Sequence, residues 1–290
     1  MSETNGTDNN SEAKAPGPAE PDPVVSGANV DPGDNTSEPD TTSDQDDQDN
    51  DEETGFVTIS EEDKDAYDLD FQHCKIRKIE NLESLTRIET LGFRWNFLIK
   101  IENLSHLTTL QELELYDNQI TKIENLSSLV NLRVLDVSHN KIKKIEGLES
   151  LTNLKKLFLV SNKISKIENL ENNVNLEMLE LGDNKIRKIE NLESLTNLKE
   201  LFLGKNKIST VENLGSLTGL RLLSIQTNRI REISGLTGLT SLEELYIADN
   251  GLTHLAGLDS QNLQTLEIAN NRIANISGWL PGQLSVLGRF

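Results

Sequence analysis

Nine asparagines lie at nearly constant spacing along this 290-residue chain. Seven of the eight intervals between them are 22 residues and the last is 21. The asparagines are Asn96, Asn118, Asn140, Asn162, Asn184, Asn206, Asn228, Asn250 and Asn271. Cys74 lies one period earlier, where a further asparagine would be expected. A fixed period of this length indicates one structural unit repeated along an axis, and such proteins mostly present extended surfaces to partners.

The segment 132–152, LRVLDVSHNKIKKIEGLESLT, shows what each unit must bury. With Leu132 as position 1, apolar residues occupy positions 1, 4, 6, 11, 14, 17 and 20. Positions 4 and 6 point to one face of a short strand, whereas the later spacing of three suits a 3₁₀ or short helical return. One unit cannot bury these side chains alone, but stacked units can. The sequence therefore predicts an α/β fold, a leucine-rich-repeat solenoid (horseshoe) of about ten 22-residue repeats with a parallel concave sheet.

The repeats are predicted to span residues 66–276. The asparagine at position 9 ends each strand, and its amide can bond backbone groups of the turn, so the stacked asparagines should form a ladder. At the start, the N-cap pattern from Ser60 to Asp63 predicts a short capping helix near residues 60–66, within an N-terminal cap at 56–65. Residues 277–290 lack the next Leu-x-x-Leu-x-Leu pattern, so we expect an atypical, frayed or shortened C-terminal end.

The charge of the chain is concentrated in its first part. The net charge is −20, and residues 1–65 hold 20 acidic residues against only Lys14 and Lys64. They are also rich in Ser, Thr, Asn, Gly and Pro and poor in apolar residues, which cannot offset the entropy of ordering. Residues 1–55 are therefore predicted to be a disordered acidic tail. Ser43, Thr54 and Ser60 adjoin acidic clusters there, and we weigh phosphorylation against an unmodified solubilising tail.

The compartment is inferred from what the sequence does not contain. No apolar stretch is long enough to span a membrane, and the first residues lack the basic and apolar regions of a signal peptide. The single cysteine excludes an intramolecular disulfide. We expect a cytosolic or nuclear protein with no membrane partner.

Strand positions 3, 5 and 7 should point away from the core, onto the concave face. Position 5 carries carboxylates and aromatics rather than the neutral residues that would satisfy a solvated strand. Phe158 and Phe202 lie two repeats apart with Glu180 between them, an arrangement that resembles interface anchors around a charged group. Single exposed aromatics are common, however, and need no function. The candidate protein-binding residues are Asp136, Phe158, Glu180, Phe202, Tyr246 and Glu267.

Catalytic and metal-binding signatures are missing from the sequence. It contains no Walker A loop, Gly-x-Ser-x-Gly, His-Glu-x-x-His or Cys-x-x-Cys motif. His73 and His139 are three repeats apart, too far for one metal, and we interpret both as turn residues. An acidic concave face repels phosphate, which disfavours nucleic acid and favours a basic protein surface. We therefore expect no enzyme activity, no cofactor and no metal site.

The convex side repeats the motif Lys-Ile-Glu-Asn-Leu, for example at 100–104 and 166–170. We interpret its Lys and Glu as alternating charged rows on a solvated face, each pair contributing little.

These segments, with LKKLFLVSNKISKIENL at 154–170 and LKELFLGKNKI at 198–208, closely resemble the family of regulatory subunit 7 of protein phosphatase 1. The resemblance covers about residues 56–276. It implies a nuclear, also cytoplasmic, non-catalytic subunit whose concave face grips the phosphatase catalytic subunit. The contact positions that it carries over are Asp136, Phe158, Glu180, Phe202 and Glu267. The Arg/Lys-Val-x-Phe docking motif of other phosphatase partners is absent, so the concave surface would carry the binding.

The resemblance also implies further repeats and a capping segment, from which this chain diverges after about Asn275. A splice product or a faulty gene model would both account for this. We expect a monomer before binding. The alternative function is a structural leucine-rich-repeat adaptor, ciliary or spliceosomal, with another protein partner.

Overall fold

The computed structural model describes residues 55–254 and 262–274 and the backbone of 286–287. In this part of the chain one parallel sheet holds eleven strands in sequence order, each paired with its neighbours. The strands are β1 (Asp68–Asp70), β2 (Thr90–Gly92), β3 (Glu112–Glu114), β4 (Val134–Asp136), β5 (Lys156–Phe158), β6 (Met178–Glu180), β7 (Glu200–Phe202), β8 (Leu222–Ser224), β9 (Glu244–Tyr246), β10 (Thr265–Glu267) and β11 (Val286–Leu287). The first ten occupy positions 3–5 of the ten predicted repeats, which confirms the solenoid.

The register repeats without a slip from strand to strand. Leu135 pairs with Leu157, and Leu157 pairs with Leu179, so equivalent positions of neighbouring repeats lie side by side. Because the side chains of a strand alternate between its two faces, this register turns each position into a continuous row along the sheet.

The core consists of the predicted apolar positions. In the fourth repeat Leu132, Leu135, Val137, Ile142 and Ile145 are all 0% exposed, as are Leu148 and Leu151. Each such side chain contributes about 2 kcal/mol when it is fully removed from water. Asn173 is an exception, since it takes position 20 and is also 0% exposed. Its Nδ2 donates to the carbonyls of Leu148 and Leu151, both at 3.0 Å, which lets a polar side chain sit in the apolar row.

The asparagines at position 9 form the predicted ladder. Asn162 accepts a hydrogen bond on Oδ1 from the backbone N–H of Ile142, at 3.0 Å. Its Nδ2 donates to the carbonyl oxygens of Val137, Leu159 and Val160 at 3.0–3.2 Å. The same pattern recurs from Asn96 to Asn271. Since these backbone groups lie in buried turns without water, the asparagine amide is the group that satisfies them.

A second asparagine ladder runs through the Lys-Ile-Glu-Asn-Leu motif, at position 16. These asparagines have left-handed backbones, and each Nδ2 donates to the position-14 carbonyl of the preceding repeat, as in Asn125 to Ile101 at 2.7 Å. In two repeats the position holds Gly147 or Gly235, with φ of 72° and 70°. Our interpretation of the motif as a charged surface was incomplete, because its asparagine is structural.

The lysines and glutamates of that motif behave as predicted. Lys100 and Glu102 approach to 3.5 Å and Lys166 and Glu168 to 3.6 Å, with the lysines about half exposed. Exposed pairs of this kind stabilise a fold by well under 1 kcal/mol each.

The N-terminal end differs in detail from the expectation. The capping helix is a three-residue 3₁₀ helix, Asp63–Asp65, that contains no buried residue. Ser60 donates from Oγ to Asp63 Oδ2 at 2.6 Å and accepts from the Asp63 N–H at 3.2 Å, so the N-cap pattern does form. The first repeat is covered instead by Val57, which is 2% exposed, beside the bridge between Gly55 and Ile76.

Within residues 277–290, where an atypical C-terminal end was predicted, the structure adds a short strand that the sequence pattern did not indicate. Val286 pairs with Thr265 and Leu287 with Leu266, which makes β11 the last strand of the sheet. Leu284 and Leu287 keep the spacing of positions 1 and 4, but Arg289 stands where a third apolar residue would complete the pattern. Residues 1–54, where the acidic tail was predicted, lie outside the described residues.

Candidate functional site

The candidate residues are brought together in one row across the sheet. Position 4 is buried in β2 to β10, so position 5 of these strands faces away from the core. Asp136 pairs with Phe158, Phe158 with Glu180, and Glu180 with Phe202. Ser224 follows Phe202, and then come Tyr246 and Glu267. We call these seven residues, Asp136, Phe158, Glu180, Phe202, Ser224, Tyr246 and Glu267, the sheet-face row.

Most members of the sheet-face row are less exposed than their place on an outer face suggests. Phe158, Phe202, Asp136, Glu180 and Tyr246 are half-buried, and only Glu267 is exposed, while Ser224 is buried. Adjacent strands are about 4.8 Å apart, so neighbouring side chains shield one another from water. These half-buried rings already have neighbours on both sides. A partner would therefore lose less side-chain entropy on ordering them.

This partial burial changes the acidity of the carboxyl groups. Burial raises the pKa of Asp136, although its Oδ1 accepts a hydrogen bond from the Ser138 N–H at 2.8 Å. Burial and the nearby Asp136 raise the pKa of Glu180. The ionised carboxylates are thus poorly solvated, and a cationic group of a partner would relieve that penalty.

Tyr246 is tied to its own strand. Its hydroxyl donates to Glu244 Oε2 at 2.6 Å, and this bond raises the pKa of Tyr246 to about 12. The phenol therefore stays neutral and offers a partner its ring rather than its proton.

One arginine bridges two carboxylates near the β1 end of the sheet, and the sequence did not predict this contact. Arg94 donates to Asp70 Oδ2 at 3.3 Å and lies 3.1 Å from Glu114 Oε2. Gly92 lies between these two carboxylates on the sheet. Its lack of a side chain leaves space for the Asp70 carboxylate, since a Cβ there would lie 2.5 Å from Asp70 Oδ1. Burial raises the pKa of Glu114, and Arg94 opposes that shift. Arg94 therefore offsets negative charge on the sheet face near β1 to β3. The uncompensated negative charge is greatest from Asp136 onward.

Aromatic rings also line the end of the first strands. His73 stacks on Trp95 at 4.6 Å, Trp95 meets Tyr116 edge-on at 5.5 Å, and Tyr116 contacts His139 at 4.7 Å. His73, Trp95 and His139 have positive φ, as expected for the turn residue before the ladder asparagine. The turn interpretation of both histidines is therefore confirmed.

The described residues offer little for chemistry. No group of three or more His, Cys, Asp or Glu residues among 55–254 and 262–274 is arranged to hold a metal ion. In the same part of the chain no helix is long and apolar enough to cross a bilayer. What the geometry provides is a long, rigid, side-chain-covered sheet, which suits recognition of another macromolecule.

Comparison with known proteins agrees with this architecture. The model of the leucine-rich repeats family matches residues 108–150, 130–172, 174–216 and 196–238. This chain has the leucine-rich-repeat fold. A search of curated proteins found no match to it.

Solved structures show how far the likeness of this leucine-rich-repeat protein extends. An internalin (inlF) of Listeria monocytogenes is 32% identical with a TM-score of 0.70, over 75% of this chain and 65% of that one. Internalin C2 of the same organism is 28% identical with a TM-score of 0.60, over 67% of this chain and 84% of that one. A leucine-rich-repeat protein of Leptospira interrogans is 27% identical with a TM-score of 0.54, over 66% and 57%. Proteins of this architecture typically act as non-catalytic scaffolds that bind other proteins.

Proposed function

We propose that this leucine-rich-repeat protein is a non-catalytic regulatory subunit that binds the protein phosphatase 1 catalytic subunit through the sheet-face row. The observation that carries the proposal is the alternation of Asp136, Phe158, Glu180 and Phe202 on four adjacent strands in register. Aromatic anchors near the centre of an interface supply much of its affinity, and charged groups between them set orientation.

Charge complementarity supports a basic partner surface. Asp136 and Glu180 hold carboxylates whose pKa burial raises, so each gains from a cation placed beside it. The hydrogen bonds of Asp136 go to the neighbouring Ser138, and no basic side chain donates a hydrogen bond to it among the described residues.

The choice of protein phosphatase 1 rests on the resemblance of the segments around these residues. LKKLFLV places Phe158 and LKELFLG places Phe202 at the positions where that family contacts the phosphatase. With this partner we propose a nuclear and cytoplasmic protein, monomeric before binding.

The proposal is tested by a pull-down of the purified phosphatase catalytic subunit with the full chain. Phe158→Ala combined with Phe202→Ala should reduce capture by at least about tenfold, since hot-spot aromatics each contribute about 2 kcal/mol or more. The matched control is Val130→Ala with Val174→Ala, which truncates two apolar side chains that are 44% and 41% exposed elsewhere on the solenoid. Circular dichroism should show native spectra for both variants. Equal capture by the two double variants would refute the site.

The alternative is a structural adaptor, ciliary or spliceosomal, that uses the same row for another protein. The likeness in fold to internalins is equally compatible with such a role. Affinity purification followed by mass spectrometry separates the two. Recovery of the phosphatase, lost with the phenylalanine variant, supports the first proposal, and recovery of another partner with the same loss supports the adaptor.

A further inference from the structure

We propose that a row of basic side chains along the turn edge of the solenoid binds an extended acidic peptide. The turn-edge row consists of the residues that directly follow five consecutive ladder asparagines: Lys141, Lys163, Lys185, Lys207 and Arg229. It lies five residues beyond the sheet-face row in each repeat, so this binding is independent of the phosphatase proposal.

The backbone holds the row in regular steps. The N–H of Lys163 donates to the carbonyl of Ile142 in the preceding repeat at 2.7 Å, and Lys185 donates to Ile164 at the same distance. Lys207 and Arg229 make the equivalent bonds at 2.8 Å. Each cation is therefore attached one repeat, about 4.8 Å, from the next, and the row is about 19 Å long. Lys207 is half-buried and the other four residues are exposed.

The cations of this row differ from lysines of two other rows, which form ion pairs with glutamates. At position 13 Lys122, Lys144 and Lys166 each lie 3.6–3.9 Å from a glutamate of the same repeat. At position 2 Glu177 binds both Lys155 and Lys199, at 3.0 Å and 2.6 Å.

By contrast, within residues 55–254 and 262–274 no carboxylate forms an ion pair with any member of the turn-edge row. Lys141 bonds only the neutral Gln119, at 3.0 Å. The turn-edge row thus offers a partner five neighbouring cations, whereas Lys122, Lys144 and Lys166 are paired with glutamates.

A hollow continues the row at its C-terminal end. Gly251 occupies position 10 there and lines a hollow of about 1010 Å³. Arg229, Arg231 and Arg272 also line this hollow, and Glu232 is the one acidic residue among the described residues that line it. A guanidinium presents a planar fork of donors that matches a carboxylate, so three of them can hold an acidic side chain or a chain terminus.

The dimensions fit a short peptide strand. An extended chain rises about 3.3 Å per residue, so the row accommodates about six residues and the hollow adds a few more. Side chains on one side of such a strand recur about every 6.6 Å, so three or four carboxylates would face the five cations.

A nucleic acid fits this edge less well. Asp183 and Glu232 lie beside the row and would repel an unbroken phosphate backbone, whereas an acidic peptide can carry neutral residues opposite them. Between Lys141 and Arg229 the turn-edge row also contains no aromatic side chain on which a base could stack.

The test is fluorescence anisotropy of the full chain with a labelled peptide of about ten residues that alternates Glu and Ser. The protein should bind this peptide at about 50 mM salt and should not bind its Gln/Ser counterpart. Replacing Lys141, Lys163 and Lys185 by Gln should weaken binding by about tenfold. The matched control replaces Lys122, Lys144 and Lys166 by Gln, which removes the same charge from the paired row, and should leave the affinity within about twofold.

Three results would overturn the proposal. The first is no binding of the Glu/Ser peptide by the unmodified chain. The second is equal weakening by the two triple variants, which would indicate attraction to net charge alone. The third is tighter binding of a single-stranded oligothymidylate of equal charge, which would assign the edge to nucleic acid. Gly251→Glu gives an independent check, because it adds a negative charge inside the hollow and should weaken peptide binding. The fold should tolerate this change, since a Cβ there meets only ordinary contacts at 3.4 Å and beyond.

Discussion

Asn169 donates from Nδ2 to the carbonyl oxygen of Ile145, 24 residues earlier, at 2.6 Å. To do so it adopts a φ of 59°, a left-handed conformation that costs most residues about 1 kcal/mol or more. Asparagine combines tolerance of that conformation with an amide long enough to reach the preceding repeat. Glycine meets only the first of these two requirements, the left-handed backbone. It is the replacement found at this position in two other repeats.

Asn169→Ala should lower the free energy of unfolding by about 2 kcal/mol, because it loses the hydrogen bond and strains the backbone. Asn169→Gly should cost about half as much, since glycine adopts the positive φ freely. Urea denaturation followed by circular dichroism measures both. If alanine and glycine proved equally destabilising, the left-handed backbone would not be the reason for asparagine at this position.

The ladder at position 9 should be more sensitive. Asn162→Ala leaves the buried Ile142 N–H without its acceptor and removes one of the donors to the carbonyls of Val137, Leu159 and Val160, so we expect a loss of about 3 kcal/mol. Asn153→Ala is the matched control, because Asn153 is exposed and makes a single bond, to the Val130 carbonyl at 2.9 Å. It should cost about 1 kcal/mol or less. A smaller loss for Asn162 than for Asn153, in the same denaturation assay, would contradict the role of burial.

Glu180 should carry a stability penalty at neutral pH. Its pKa in the folded state is raised by burial, so the ionised form is disfavoured above that pKa and the penalty disappears as the pH falls through it. Glu180→Gln should therefore be more stable than the unmodified chain at pH 7, by an amount that shrinks in acid. Thermal unfolding from about pH 7 to pH 4 checks this, and a variant less stable than the parent at pH 7 would show that Glu180 is stabilised in its charged form.

Glu177 should show the opposite slope. Hydrogen bonds from Lys199 and Lys155 lower its pKa to about 2, below the value of 4.5 expected without them. The stability that it contributes is fully present above the unfolded-state pKa and is lost as the pH falls toward 2. Glu177→Gln should thus be less stable than the parent near pH 7, with a difference that closes in acid. A constant difference from about pH 7 down to about pH 2 would exclude this carboxylate as the source.

The regular part of the fold could be predicted because its cause is local. Apolar side chains at fixed positions must be buried together, and only stacking in register does so for Leu135 and its equivalents in the neighbouring repeats. The outward direction of Phe158 and Glu180 followed from the same alternation along each strand.

Other features depend on relations that one repeat does not contain. Arg94 reaches carboxylates of two other strands, and nothing near it in the sequence indicates which ones. The left-handed backbone of Asn169 is not visible in the residue itself, although the glycines at the same position of two repeats were a usable signal. The strand Val286–Leu287 was missed because only two of its three apolar positions are filled.

The asparagine ladders give the solenoid a direction. In all of them the amide of one repeat completes hydrogen bonds of the repeat before it, as Asn184 does for Ile164 and Leu159. At the first repeat Cys74 takes the place of the asparagine, and its Sγ donates to the Gln72 carbonyl at 3.3 Å. At the C-terminal end, loss of a repeat removes the asparagine amide that serves as donor and acceptor for the turn of the preceding repeat. We therefore expect the protein to unfold from its C-terminal end, one repeat after another, toward the N-terminal repeat covered by Val57.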